Sequence, residues 1–185
     1  MHRLLLNTFQ RTGRNFTQTA VHQLGRIWVD SSQSININNI KQYDHIISII
    51  RNPIDTIASL ATMSLKNHEE SSIEQVVESA SRSWLDFHKQ LNTFLNICID
   101  FKEIENKPEE FIQKILSIAG IPQVVDYSSI NMDELMKKYA INQKEGGFIL
   151  TEKNNPRYQE VLKCVKSLDL SEHFKVYDSL IERCV

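Results

Sequence analysis

Two arginines in this 185-residue chain stand where a phosphate could be held. Arg51 ends the apolar run Ile46-Ile47-Ser48-Ile49-Ile50 and precedes Asn52-Pro53-Ile54-Asp55. Asn52 can cap a helix, Pro53 suits its first position, and Asp55 answers the positive end of the helix dipole. Ser59 follows less than two turns later. A cation where a buried strand ends and a helix begins sits beside unpaired backbone N–H groups, which together suit an anion. A surface ion pair is the plainer role for Arg51, but it does not explain the place at the end of an apolar run. The second stretch is Arg11-Thr12-Gly13-Arg14-Asn15-Phe16. A glycine there lets the backbone approach a ligand closely, and successive N–H groups can cradle a phosphate. A plain turn would also carry Arg-Thr-Gly. The pattern Gly-x-x-x-x-Gly-Lys-Ser/Thr is absent from the chain, which argues against an ordinary ATP or GTP loop.

The elements that must position these residues follow from periodicity. Arg3 to Phe9 predicts a strand and Phe16 to Leu24 a helix, with Phe16, Ala20, Val21 and Leu24 on one side and Gly25 closing it. Arg26 to Asp30 predicts a second strand, Ser31 to Asn39 a polar loop, and Ile46 to Ile50 a strand covered on both faces. A helix runs from Pro53 to about Lys66. Ser71/Ser72 with Glu74/Gln75 then marks the start of a long helix whose apolar stripe includes Val77, Ala80, Trp84, Phe87 and Leu91. His88 beside that stripe suits packing. Ile97 to Ile99 predicts a strand, Lys102 to Lys107 a turn, and Pro108 a helix that Gly120 and Pro122 end. Asp133 to Ala140 looks helical, Asn142 to Phe148 a loop, and Pro156 to Ser167 and Ser171 to Glu182 two closing helices. Strands alternating with helices predict one α/β domain over 1–185, in three layers with a mainly parallel sheet. In such sheets ligands bind at the carboxyl ends of the strands, where both arginine stretches fall.

Three motifs together resemble the sulfotransferase family, whose fold is P-loop-NTPase-like. Arg51-Asn52-Pro53-Ile54-Asp55-Thr56-Ile57-Ala58-Ser59 is similar to its Arg-Asn-Pro-x-Asp-x-x-x-Ser segment. Arg11, Thr12 and Gly13 match its Lys/Arg-Ser/Thr-Gly loop, Asn15-Phe16 matches members with Asn-Phe there, and Arg14 replaces the usual Ser or Thr. Phe101-Lys102-Glu103-Ile104, Pro108-Glu109 and Ile118-Ala119-Gly120-Ile121-Pro122 resemble its Tyr-Glu-Asp-Leu…Pro-Glu…Leu-Gly-Leu-Pro block, with Phe-Lys in place of the aromatic-acid pair. The resemblance spans about Leu4 to Pro122. It implies 3′-phosphoadenosine 5′-phosphosulfate (PAPS) or adenosine 3′,5′-bisphosphate as the nucleotide. Arg51 and Ser59 would hold the 3′-phosphate. Arg11 would stabilise the departing 5′-phosphate as a catalytic cation, and Thr12, Gly13, Arg14, Asn15 and Phe16 would supply backbone donors. Lys144, in the loop with Gly146, would be a remnant of a late basic loop touching the 3′-phosphate, or part of a plain turn.

The implied reaction moves a sulfuryl group to a hydroxyl or amine of an unidentified acceptor, without a metal. A base must take the acceptor's proton. Many members of the family this chain resembles use a His shortly after the second strand, and others a Glu in a similar region. Here no His follows that strand, so the resemblance makes Asp30, placed at the strand's end, the first candidate, with a loop-capping role as its alternative. His45 and His22 lie badly for the task. Two other functions stay open: an inactive nucleotide-binding protein of the same fold, and a small-metabolite kinase. Composition sets outer bounds. Hydrophobic residues make 41% and charged residues 24%, ordinary for a globular domain, and a net charge of −2 offers no field for nucleic acid or an anionic membrane. Three cysteines without a Cys-x-x-Cys pair point to free thiols in a reducing compartment. Leu4-Leu5-Leu6 is too short a run for a leader or a span, and a cytoplasmic protein is the expectation.

Overall fold

Short aliphatic runs build the centre of the sheet. The computed structural model describes residues 4–12, 14–25, 29–33, 41–68, 70–93, 97–120 and 156–185. Four strands, β1 (Leu4–Asn7), β2 (Val29–Ser32), β3 (His45–Ile50) and β4 (Ile97–Asp100), pair in the order β2-β1-β3-β4. Every pairing is parallel. The described helices are α1 (Arg14–Gly25), α2 (Pro53–Asn67), α3 (Ile73–Leu91), α4 (Phe101–Asn106), α5 (Pro108–Ile118), α6 (Pro156–Ser167) and α7 (Ser171–Ile181). None of them is long and apolar enough to cross a membrane.

The pleat gives the sheet two different faces. Leu4 and Leu6, Ile47 and Ile49, and Ile99 point one way, into a core closed by Phe16, Ala20 and Val21 of α1 and Phe111, Ile112, Ile115 and Leu116 of α5. The other face meets α2, α3, α6 and α7, which contribute Ile57, Leu65, Trp84, Leu91, Val161, Val165 and Leu180 to a second core. Helices therefore cover both faces of a parallel sheet, the α/β layering expected from the alternation of elements. The second face carries polar groups in register: Ser32 opposite Asn7 and Ser48 opposite Cys98. Asn7, Ser48 and Cys98 are fully buried.

Capping fixes where chains leave the sheet. The Asn52 side chain accepts from Ile54 N at 2.9 Å and Pro53 opens α2, as its sequence predicts. Ser72 accepts from Gln75 N at 3.2 Å to start α3. Residues 102–107, expected as a turn, instead lie largely in α4, because the Asp100 side chain accepts from Lys102 N at 3.0 Å and starts a helix directly from the strand. β2 ends at Ser32 rather than Asp30, and the described part of its expected range begins at Val29. The expected helix at 133–140 and loop at 142–148, including Lys144 and Gly146, lie outside the described residues.

Aromatic rings seal the second core. Trp84 stacks on His88, centroids 3.9 Å apart, and Phe9 lies 5.5 Å from the same imidazole. His88 Nδ1 is 2.7 Å from the Trp84 carbonyl, which can only accept, so Nδ1 carries the proton. Burial pushes the His88 pKa down to about 4, the bond to Trp84 opposes that, and neighbouring His173 adds to it. His88 is therefore neutral in the fold and charges on unfolding, so its contribution is complete above about 6.5 and is lost as pH falls from there towards 4. Denaturant titrations across that window should show a loss approaching ~3 kcal/mol, and His88→Gln should flatten it.

Candidate anion site at the sheet edge

β1 and β3 are neighbours, so the two turns that follow them lie side by side at the carboxyl edge of the sheet. Arg11 and Arg51 share that edge. Arg51 Nη1 donates to the Arg11 carbonyl at 2.8 Å. Arg11 Nε donates to Ser59 Oγ at 3.0 Å, from the second turn of α2. Three residues singled out by spacing thus form one chain of contacts, Arg51 to Arg11 to Ser59.

The turn after β1 is held in an unusual shape. Arg11 has φ of 67°, a left-handed conformation that costs a residue with a Cβ about 1–2 kcal/mol. Thr12 pins it from below by donating its hydroxyl to the Phe9 carbonyl at 2.7 Å. That hydroxyl shapes the turn. Thr8 N donates to Ser32 O at 3.0 Å and carries the β1–β2 ladder to the turn's threshold.

Arg51 leaves β3 half-buried. Burial lowers its pKa; Asp55, Glu105 and Tyr158 act against that, and Arg11 adds to it. Its guanidinium carbon also lies 4.5 Å from the centre of the Phe101 ring, a cation–π contact. Phe101 begins α4 where β4 ends, so the neighbouring strand supplies the platform under Arg51. Arg14 reaches the other way. With the Gln33 carboxamide oriented so that its oxygen faces the guanidinium, Arg14 donates to it at 3.2 and 3.3 Å. The three guanidinium groups therefore fan along the edge, from beyond β2 to the start of α4.

Other residues singled out by sequence fall into distinct places. The first N–H groups of α1, from Arg14 to Thr17, open at this edge, and the ring of Phe16 is buried in the first core. Gly13 lies outside the described residues, as does Lys144. Asp30 does not stand at the end of its strand. It pairs with Leu5 inside β2, two places before the edge, and its Oδ2 accepts from the Tyr43 hydroxyl at 2.9 Å. Among the described residues no group of three or more His, Cys, Asp or Glu is placed to hold a metal ion.

Sequence reasoning passed over Asn7 and Thr8. Both are fully buried at the end of β1, and Asn7 Oδ1 and Nδ2 and Thr8 Oγ1 have no hydrogen-bond partner among the described residues. Two polar residues closing the run Leu4-Leu5-Leu6 were the available signal. Nor did the sequence mark Phe101 as a partner of Arg51, because a ring's partner depends on which strand lies beside it. Neither a family model nor a curated protein matches the sequence.

The cation–π contact is testable alone. A double-mutant cycle of Arg51→Met and Phe101→Leu, read by denaturant unfolding, should give a coupling of about 0.5–2 kcal/mol; additive losses would mean that the ring does not hold the guanidinium.

Proposed function

We propose that this edge binds a nucleotide carrying two phosphate groups, of the adenosine 3′,5′-bisphosphate type, and that the protein is a sulfotransferase using PAPS. The observation that carries the reading is the contact chain from Arg51 through the Arg11 carbonyl to Ser59, at the carboxyl edge of a parallel sheet. Arg51 and Ser59 would hold the 3′-phosphate. Arg11 would turn from Ser59 to the 5′-phosphate, with the first N–H groups of α1 as further donors. In the transfer, the bond from sulfur to the 5′-phosphate oxygen breaks as one forms to the acceptor oxygen or nitrogen. Charge grows on the 5′-phosphate, where a guanidinium stabilises it, and the acceptor's proton passes to a base. Positioning and charge stabilisation supply most of the catalysis, as in phosphoryl transfer.

One observation favours a second reading. Asp30 lies inside β2 and accepts from Tyr43, away from the edge where an acceptor's proton would be released. A protein that binds the nucleotide and transfers nothing would need no base there.

Calorimetric titration tests the binding they share. Adenosine 3′,5′-bisphosphate should bind and ATP–Mg²⁺ should not. Arg51→Ala should weaken binding by more than tenfold, since a charge-assisted bond contributes about 1.5–3 kcal/mol. Equal affinity of the variant, or no binding by the wild type, would end both readings. Transfer of labelled sulfate from PAPS to a panel of hydroxyl and amine acceptors then separates enzyme from binder. Loss of that transfer in Asp30→Asn, with nucleotide affinity kept, would restore Asp30 as the base.

A further inference from the structure

Away from the nucleotide edge, two of the three cysteines meet. Cys184, three residues beyond α7, forms an isolated parallel bridge with Cys98 in the middle of β4. Val185 N donates to the Cys98 carbonyl at 3.1 Å and holds the two segments in that register. Bridged chains lie about 4.8 Å apart, inside the Cα separation that a disulfide spans. Both side chains face the second core: Cys98 is part of it and Cys184 packs against it. The bridge brings the two thiols close enough for Cys98 to raise the Cys184 pKa, and Cys184 Sγ lies 3.6 Å from the Leu180 carbonyl. Cys164, on α6, faces Glu74 and Glu78 instead.

We propose that Cys98 and Cys184 are a redox-active pair that closes to an intramolecular disulfide when the protein meets a hydroperoxide. Cys184 is half-buried and is the sulfur that an oxidant reaches; Cys98 is fully buried and resolves. The Cys184 thiolate attacks the peroxide oxygen, giving a sulfenic acid and releasing hydroxide or alkoxide. The Cys98 sulfur then displaces water from the sulfenic acid as the S–S bond forms. Two thiols are oxidised and one peroxide is reduced, giving water, and with an alkyl peroxide an alcohol as well. The contact with Cys98, then burial and the neighbouring Asp100 and Glu103, raise the Cys184 pKa, so the attacking thiolate is a small fraction and closure is slow, needing peroxide in excess. The bond would staple β4, at the edge of the sheet, to the segment that follows α7. The same strand leads into Asp100, which caps α4, and Phe101, which lies under Arg51.

The full reduced chain is treated with hydrogen peroxide, denatured, alkylated without reductant and peptide-mapped. A Cys98–Cys184 linked peptide, lighter by two hydrogens, with Cys164 alkylated, is the expected result. The thermal midpoint should rise by roughly 5–15 °C and return after dithiothreitol. Cys164→Ser should keep this response, and Cys184→Ser, at a half-buried position, should lose it. Three alkylated thiols, a linkage through Cys164, or Cys184 driven to sulfinic acid with Cys98 still a thiol would each overturn the proposal.

Discussion

A half-buried guanidinium at the end of β3 constrains the whole carboxyl edge. Taking Arg51 out of water is costly, and the cost is tolerable only where acceptors and opposite charge surround it. The Arg11 carbonyl supplies the acceptor at 2.8 Å, Phe101 supplies a π face, and Asp55 and Glu105 supply the negative field. Each comes from a different segment. Satisfying one side chain therefore fixes the turn after β1, the first turn of α2 and the start of α4 relative to one another. Arg11, left-handed in a turn that Thr12 pins, is the residue whose carbonyl satisfies Arg51, so the strain and the half-buried charge meet at one residue.

The sequence made most of the sheet legible because β1 and β3 are short aliphatic runs with strong punctuation. Ile46 to Ile50 followed by Asn52-Pro53 could be read as strand, cap and helix with little ambiguity, and β3 and α2 lie there. β2 was harder. It stands at the edge of the order β2-β1-β3-β4 and pairs with β1 alone, so Asp30, Ser31 and Ser32 continue the ladder opposite Leu5, Leu6 and Asn7 without being apolar themselves, and nothing in their types marks the end. α4 was missed for a related reason. Asp100 is both the last residue of β4 and the cap of the helix after it, which leaves no turn residues between them.

Spacing placed the site residues along the chain but could not give their directions. That Arg11, Arg51 and Ser59 lie at one edge follows from a parallel sheet with β1 beside β3. That Arg11 rests on Ser59, and Arg51 on Phe101, depends on rotamers and neighbours which appear only once α2 and α4 are docked. Asn7 shows the limit most clearly. Its place in a strand was readable, whereas its complete burial is on the face that α2, α3, α6 and α7 cover, all of them far from it in sequence.

The orphaned polar atoms cluster, and the clustering has a physical meaning. Among the described residues they are Asn7 Oδ1 and Nδ2, Thr8 Oγ1, Trp84 Nε1, His88 Nε2 and His173 Nδ1. Each unsatisfied buried group costs about 1–3 kcal/mol, so stability alone would replace them with apolar groups of similar shape. They occur in two places, the end of β1 and the aromatic group on α3 and α7, and Phe9 joins the two by touching both Phe87 and His88. The tautomers sharpen the point. Nδ1 of His88 donates to a carbonyl and Nε2 of His173 lies 3.1 Å from another, which leaves a bare lone pair on each ring and an N–H on Trp84. Donors and acceptors of both kinds, buried behind a turn whose own backbone is strained, describe a region built to a requirement other than packing. The turn of Arg11 and the polar interior behind it are best understood as a unit, in which the residues at the sheet edge are held in position at a cost that the two aliphatic cores sustain.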